Sequence, residues 1–323
     1  MDSSPMRLIF CGTPQFAVPT LERLLAEGYA VDLVVTNPDE PSGRGYQRRS
    51  PPVKEAAKKA GLEIFQPPKL KDQATEDRIS EVRPDAVVVV AYGHIIPPWM
   101  IELPRFGCIN LHASLLPKYR GAAPIQWALI RGEPTTGVTT MKIDRGLDTG
   151  DILLQRAVPV QDDDTTETLS DHLSTIGSEL TVETLKGLER GEIAPHPQDH
   201  GLATLAPMLK KDDGRIDWKS SAEEIWRRVR GLRPWPGAFA IFRGKTLHIW
   251  NAAPAALPTR DGLEPGVLVA ERGRIHVICG GGAFLELKEL QLEGRKRLSS
   301  PEFLNGVRLR DGERLGRMMN NER

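Results

Sequence analysis

The sequence predicts an α/β protein: an N-terminal doubly wound, mostly parallel sheet, then a smaller β-rich domain. Three observations carry that expectation. Short apolar runs alternate with segments of helical periodicity as far as about residue 190. The run Ala86-Val87-Val88-Val89-Val90-Ala91 is apolar without interruption, as a strand covered on both faces requires. Beyond a stretch broken by proline and glycine, the pattern changes to short strands separated by Gly and Pro turns.

Leu8–Cys11 reads as the first strand, and Phe16–Ala26 as a helix with Leu21, Leu24 and Leu25 inward. Val31–Thr36 is the second strand, followed by helices over Val53–Ala60 and Ala74–Val82. Ala86–Ala91 and Cys108–His112 are buried strands, with a helix around Ala123–Ile130 after them. Strands near Gly137–Ile143 and Ile152–Val158 precede a long helix over Thr165–Glu189. Such alternation implies a largely parallel sheet with helices on both faces, and ligands then sit beyond the carboxyl ends of the strands. Pro195, Pro197, Gly201 and Pro207 among polar residues mark Gly191–Lys211 as a linker. Ala222–Val229 is a helix. Phe239–Phe242, Thr246–Trp250, Gly266–Val269, Ile275–Cys279 and Phe284–Leu290 are short strands, the pattern of a small barrel. No repeat, coiled coil or low-complexity tract interrupts this order.

With 323 residues the chain has room for two domains, and 40% hydrophobic with 27% charged residues fits a soluble globular protein. No apolar run approaches the ~20 residues that span a bilayer. The first residues, Met1-Asp2-Ser3-Ser4-Pro5-Met6, lack the basic start and apolar core of a signal peptide, so no leader is expected. Only Cys11, Cys108 and Cys279 are present, widely separated and odd in number. A reducing compartment, the cytoplasm, follows, with neither a disulfide framework nor a zinc site. The net charge is zero but unevenly spread. Leu205–Arg323 holds 22 Lys and Arg against 15 Asp and Glu, and Met1–Thr204 holds 21 against 28. A basic part joined to an acidic part is a hint of nucleic-acid contact, and equally the ordinary charge of a soluble small domain.

Chemistry concentrates in two places. Side chains alternate along a strand, so Asn110 and His112 project from one face of Cys108–His112. Asp148 lies in the glycine-bounded run Gly146-Leu147-Asp148-Thr149-Gly150-Asp151, a turn able to carry a carboxylate to a neighbouring strand end. Amide and imidazole stabilise an oxyanion, and imidazole with carboxylate moves protons, so the three suit acyl transfer. A buried strand with a polar end and an unrelated turn aspartate produces the same pattern, and the residues alone leave both readings open. Ser114 lacks the Gly-x-Ser-x-Gly elbow of a nucleophile. Gly12-Thr13-Pro14 lacks the dinucleotide-binding glycine pattern, so no nicotinamide cofactor is assigned. His196 and His200 have helical zinc spacing, but Pro195 and Pro197 break any helix there, and no metal is expected. His94, after Tyr92-Gly93, is undecided. Asp162-Asp163-Asp164 caps the next helix with negative charge.

Asn110-Leu111-His112-Ala113-Ser114-Leu115-Leu116-Pro117 with Asp148-Thr149-Gly150-Asp151 resembles the signature of the 10-formyltetrahydrofolate-dependent formyltransferases. The likeness extends to Phe10-Cys11-Gly12-Thr13-Pro14, Pro38-Asp39, Gly43-Arg44-Gly45, Gly121-Ala122-Ala123-Pro124-Ile125 and Trp235-Pro236-Gly237. It covers the chain from about Met6 to about Leu315, and the order of the motifs makes it specific. The resemblance implies a Rossmann-like catalytic domain over residues 6–190, a linker over 191–211 and an OB-like, tRNA-binding β-barrel over 212–317. It implies transfer of the formyl group carried on N10 of tetrahydrofolate to the amine of methionine esterified to initiator tRNA, for translation initiation. Asn110, His112 and Asp148 are the implied catalytic residues, and Ser114, Leu115, Leu116 and Pro117 the implied folate-contacting loop. In tRNA-specific members a loop like Pro41–Arg49 reaches the acceptor stem, which makes Arg44, Arg48 and Arg49 candidates for tRNA contact. Two lysines often follow Gly-Arg-Gly in the family, where this chain has Tyr46 and Gln47. Lys210, Lys211, Arg227, Arg228 and Arg295-Lys296-Arg297 are candidate phosphate contacts in the second domain. A monomer without membrane contact is expected. Two other readings stay open: the same folate chemistry on a nucleotide-sugar amine, glycinamide ribonucleotide or water, and a non-catalytic RNA-binding protein. The basic β-rich domain favours tRNA over the first; intact Asn110, His112 and Asp148 count against the second.

Overall fold

The computed structural model describes residues 5–42, 47–258, 262, 264–310 and 312–316. The chain divides into two units. The first gathers residues up to Pro124, Thr135–Pro159 and Ser170–Pro207; the second gathers Ile125–Pro134, Val160–Leu169 and the residues from Met208 onward.

The first unit opens with β1 (Arg7–Gly12), α1 (Val18–Ala26), β2 (Ala30–Val35) and a hairpin of β3 (Glu40–Ser42) and β4 (Gln47–Arg49). α2 (Pro52–Lys59), β5 (Ile64–Phe65), α3 (Gln73–Ser80), β6 (Ala86–Val90), α4 (Pro98–Glu102) and β7 (Cys108–His112) follow. After α5 (Pro124–Arg131), which groups with the second unit apart from Pro124, come β8 (Thr135–Lys142), β9 (Ile152–Pro159) and α6 (Thr166–Arg190). Seven strands form one sheet in the order β5-β2-β1-β6-β7-β8-β9. Pairing is parallel from β5 through β7 and antiparallel from β7 to β8 and β8 to β9. β8 and β9 are joined by a turn with no helix, and a turn that short can only return the chain antiparallel. The sheet is therefore mostly parallel with an antiparallel edge.

Local sequence explains the elements. Pro19 near the start of α1 needs no hydrogen-bond acceptor there, and Arg23 complements the carboxyl end of the same helix. Asp72 caps α3 by accepting the Thr75 N–H at 3.0 Å. All five residues of β6 are buried, as an uninterrupted valine run in a central strand must be. One face of the sheet carries Ile9, Cys11, Val87, Val89 and Cys108 into a core with Ile79 and Met100. Leu111, one residue out of phase with Cys108 and Asn110, packs towards α6. There a side chain at Gly177 would come within 2.6 Å of its Cδ2.

In the second unit α7 (Ala222–Gly231) precedes β10 (Ala238–Phe242), β11 (Lys245–Ala255), β12 (Leu268–Glu271), β13 (Arg274–Ile278), β14 (Phe284–Leu292), β15 (Leu298–Ser299) and α8 (Ser300–Gly306). The capping box of Ser221 and Glu224 starts α7. The sheet is antiparallel, ordered β10-β11-β14-β13-β12, with β15 on β14. Residues 313–316 close it. Gly316 exchanges backbone hydrogen bonds with Ile241 of β10, while the Leu315 N–H reaches the Gly266 carbonyl and the Leu268 N–H the Glu313 carbonyl. One short segment thus pairs with both edge strands, as a small barrel requires. Ile225, Val229, Leu247, Val277, Leu285, Leu287 and Phe303 fill its interior.

Cys11, Cys108 and Cys279 are free and buried, and burial pushes the Cys108 and Cys279 thiols up to about 12. No helix among the described residues is long and apolar enough to cross a membrane. Leu287 of β14, paired with Ala252 of β11 and Ile275 of β13, is fully buried in the barrel core. Leu287→Ala is expected to lower the unfolding free energy by about 2–5 kcal/mol, read from the urea midpoint.

Candidate active site

β7 stands where the sheet changes direction. Asn110 pairs with Val89 of parallel β6 on one side and Met141 of antiparallel β8 on the other, and His112 lies opposite Thr139. Asn110 is half-buried, and among the described residues its side-chain amide has no hydrogen-bond partner within the protein. A side-chain amide that no neighbour satisfies is free to donate to a bound oxygen.

His112 is buried, with its side chain 7% exposed. Its Nε2 lies 2.9 Å from the Tyr119 carbonyl. A carbonyl only accepts, so Nε2 carries the hydrogen and donates it. The other nitrogen, Nδ1, faces Asp148 Oδ2 at 3.8 Å. That distance is beyond a hydrogen bond but within Coulombic reach. A proton gained by this imidazole therefore goes onto Nδ1, the nitrogen beside the carboxylate.

Asp148 sits at φ 52°, in the left-handed region. Its Oδ2 accepts the Gly121 N–H at 2.8 Å. Gly121 is at φ 118°, and a Cβ there would lie 2.7 Å from the Ala206 carbonyl oxygen, so the position admits only glycine. The turn is held on its other side by Asp144, whose carboxylate accepts from the Gly146 N–H and the Thr149 hydroxyl. A side chain at Gly150 would overlap the Lys142 carbonyl.

The loop after β7 is braced from within. The Ser114 hydroxyl donates to the Lys118 carbonyl at 2.6 Å, and the Thr139 hydroxyl donates to the Ser114 carbonyl at 2.6 Å. The Gln155 amide donates to the Leu116 carbonyl at 2.9 Å. Ser114 is fully buried and Leu116 nearly so, whereas Leu115 and Pro117 keep part of their surface. Ser114 thus serves as an internal support of the loop.

Residues 196–206 also join the site, although their sequence reads as a linker. The Arg120 N–H donates to the Thr204 carbonyl and the Ala206 N–H to the Arg120 carbonyl, while the Tyr119 N–H reaches the Thr204 hydroxyl. Gln198 donates to the Asp148 and Gly150 carbonyls. Local pattern gave no signal for Gln198; Arg120 stood between two recognised motifs. His196 pairs its backbone with Ile152, and His200 Nδ1 accepts from Arg120, so the two imidazoles serve different partners.

Of the other sequence-derived candidates, Arg44 lies outside the described residues. Arg48 and Arg49 belong to β4, paired with Pro41 and Glu40 of β3. In the second unit Lys210 and Lys211 are exposed and form no ion pair among the described residues. Arg227 pairs with Glu223, Arg228 donates to the Asp213 carbonyl, and Arg297 lies 4.0 Å over the Trp250 ring. Lys211 and Arg215 flank a cleft of about 640 Å³ whose wall includes Phe239, His248 and Trp250. His248 and Trp250 stack at 5.8 Å, and burial with the nearby Lys211 charge holds His248 below the usual histidine range.

The model of the formyl transferase family matches residues 6–185, and that of its C-terminal domain matches residues 208–308. The chain belongs to the formyl transferase family. Its relatives include bacterial proteins named methionyl-tRNA formyltransferase. That of Acidobacterium capsulatum is 53% identical over 312 residues, covering 96% of this chain and 100% of the relative. That of Koribacter versatilis is 54% identical over 314 residues, covering 97% and 99%. Among solved structures, the N-formyltransferase from Helicobacter canadensis, in complex with folinic acid and dTDP-3-aminofucose, shares the fold. Its TM-score is 0.67 at 18% identity, over 87% of this chain and 98% of that one. Both units of this family member thus have counterparts among known formyl transferases, and Asn110, His112 and Asp148 all lie in the matched N-terminal part. Gly121→Ala is expected to strain the loop by about 1–3 kcal/mol and to release Asp148. The change should appear as a lower melting temperature together with loss of formyl transfer.

Proposed function

We propose that the chain transfers the formyl group of 10-formyltetrahydrofolate to the α-amino group of methionine on initiator methionyl-tRNA, yielding N-formylmethionyl-tRNA for translation initiation. What carries this reading is near-complete alignment, at about half identity, with relatives named methionyl-tRNA formyltransferase. The site's chemistry supports it. 10-Formyltetrahydrofolate supplies an activated formyl group, and the unpartnered Asn110 amide fits the oxygen of that group. Asn110 donates a hydrogen bond to the formyl oxygen as negative charge develops there. His112, locked by the Tyr119 carbonyl through Nε2, presents Nδ1 as its one exchangeable position and stabilises the same charge as an imidazolium. Asp148 stabilises that imidazolium across 3.8 Å and takes part in removing the proton that the attacking amine loses. No covalent enzyme intermediate is needed. Leu115 and Pro117 offer apolar surface to the folate, while Ser114 and Leu116 hold the loop.

For tRNA, the proposal assigns Arg44, Arg48 and Arg49 to the acceptor end and Lys210 and Lys211 to phosphates. The exposed, unpaired lysines beside an aromatic-walled cleft have the composition of a nucleic-acid surface. The enzyme is taken to act as a monomer in the cytoplasm; its three cysteines are odd in number and widely separated in sequence, as in proteins of a reducing compartment.

Formyl transfer to initiator and elongator methionyl-tRNA and to small amines, measured side by side, tests the acceptor. Rapid formylation restricted to initiator is expected, and folate binding with neither tRNA formylated would overturn the assignment. Asn110→Ala is expected to lower kcat by about 10²–10³ with tRNA affinity kept. Lys211→Ala is expected to weaken tRNA binding and to reduce the slope of log affinity against log salt by about 1.

A further inference from the structure

We propose that Gln198, held by the buried Arg120, is the positioning residue that fixes Asp148 for catalysis. The inference rests on the reading above, in which Asp148 acts on His112.

Asp148 needs such a support. It stands at φ 52° on a turn bounded by Gly146 and Gly150, and a residue in that region persists only where its surroundings over-determine it. The Gly121 N–H fixes the carboxylate but leaves the backbone of the turn to other contacts. Gln198 Nε2 supplies two of them, donating to the Asp148 carbonyl at 2.8 Å and to the Gly150 carbonyl at 2.7 Å. Both hydrogens of one amide are thus spent on the turn that carries the catalytic carboxylate.

The orientation of that amide is set by its other end. Gln198 Oε1 accepts from Arg120 Nη2 at 2.6 Å and Nε at 3.2 Å. Arginine only donates and carbonyls only accept, so the amide cannot be reversed without losing all four contacts. Arg120 is itself held on several sides. It is 7% exposed, its backbone is bonded to Thr204 and Ala206, and Nη2 also donates to His200 Nδ1 at 3.0 Å. No carboxylate neutralises this guanidinium among the described residues. A buried cation paired only with neutral acceptors is costly for stability alone, and here it fastens the amide that fastens the turn. Arg120 directly precedes Gly121, so the same backbone stretch reaches Asp148 from both sides: through the Gly121 N–H and through Arg120 and Gln198.

The test uses the full chain with Gln198→Met, which keeps the length and loses every hydrogen bond, and Gln198→Glu, which keeps an acceptor for Arg120 and loses both donors. Each is made in the wild-type and Asp148→Ala backgrounds. Formyl transfer gives kcat and the KM for each substrate, and urea unfolding gives stability. In the wild-type background kcat should fall about 10- to 100-fold with each KM within about twofold, since a misplaced group costs rate and leaves ground-state binding alone. In the Asp148→Ala background neither substitution should lower kcat further. Equal falls in both backgrounds, or a loss carried by KM, would overturn the inference and leave Gln198 a merely structural residue. Wild-type kcat in Asp148→Ala itself would remove the role of Asp148, and this inference with it. If the Met variant fails to fold, the Glu variant decides, because its ion pair with Arg120 keeps segment 196–206 attached.

Discussion

The hydrogen bond from the Gly121 amide to the Asp148 carboxylate joins two loops that the sheet by itself leaves independent. One follows β7 and the other follows β8, and each can make the contact only with backbone that ordinary residues avoid. Gly121 at φ 118° turns its N–H towards the carboxylate, and Asp148 at φ 52° turns its side chain back towards β7. The approach of segment 196–206 follows from the same demand. Its Ala206 carbonyl occupies the space a side chain at position 121 would take, so the lack of a Cβ serves both conformation and packing.

The junction at β7 explains why the loop carrying this amide is so well held. Parallel β6 lies on one side, and antiparallel β8 on the other brings Thr139 beside His112. From there the Thr139 hydroxyl reaches the Ser114 carbonyl, and Gln155, opposite Thr139 on β9, reaches Leu116. Side chains of the antiparallel pair β8 and β9 thus brace the loop from the edge of the sheet. The antiparallel edge therefore contributes to chemistry as well as to architecture.

Much of this was legible in residue order. The apolar run at 86–90 announced a strand buried on both sides, and alternation placed Asn110 and His112 on one face. The glycine-bounded run announced a turn with a carboxylate. The direction of β8 was not legible, because apolar content marks a strand without saying which way it runs. β5 has two residues and α4 five, too short for any period to register, and the β3–β4 hairpin lies in a polar loop. Gln198 was the larger omission. Its neighbours, Pro195, Pro197 and Gly201, read as a connector, and they do break regular structure. Irregular backbone is nevertheless what lets a chain lay one side chain across two carbonyls, of Asp148 and Gly150, in another loop. The distance between Nδ1 of His112 and the carboxylate depends on loops from separate parts of the sequence, which no local pattern records.

The closing segment of the barrel has a consequence of a different kind. Residues 313–316 pair with β10 and with the start of β12, so four residues cover two strand edges that would otherwise present unpaired N–H and C=O groups. Where the segment pairs, neighbouring chains find no free edge to extend. Proteolytic nicking or displacement of this segment would expose both edges at once, each a template for strand addition by another copy. Colloidal stability of the whole protein, as distinct from its catalysis, thus depends on a seam that contains none of the residues of the active site.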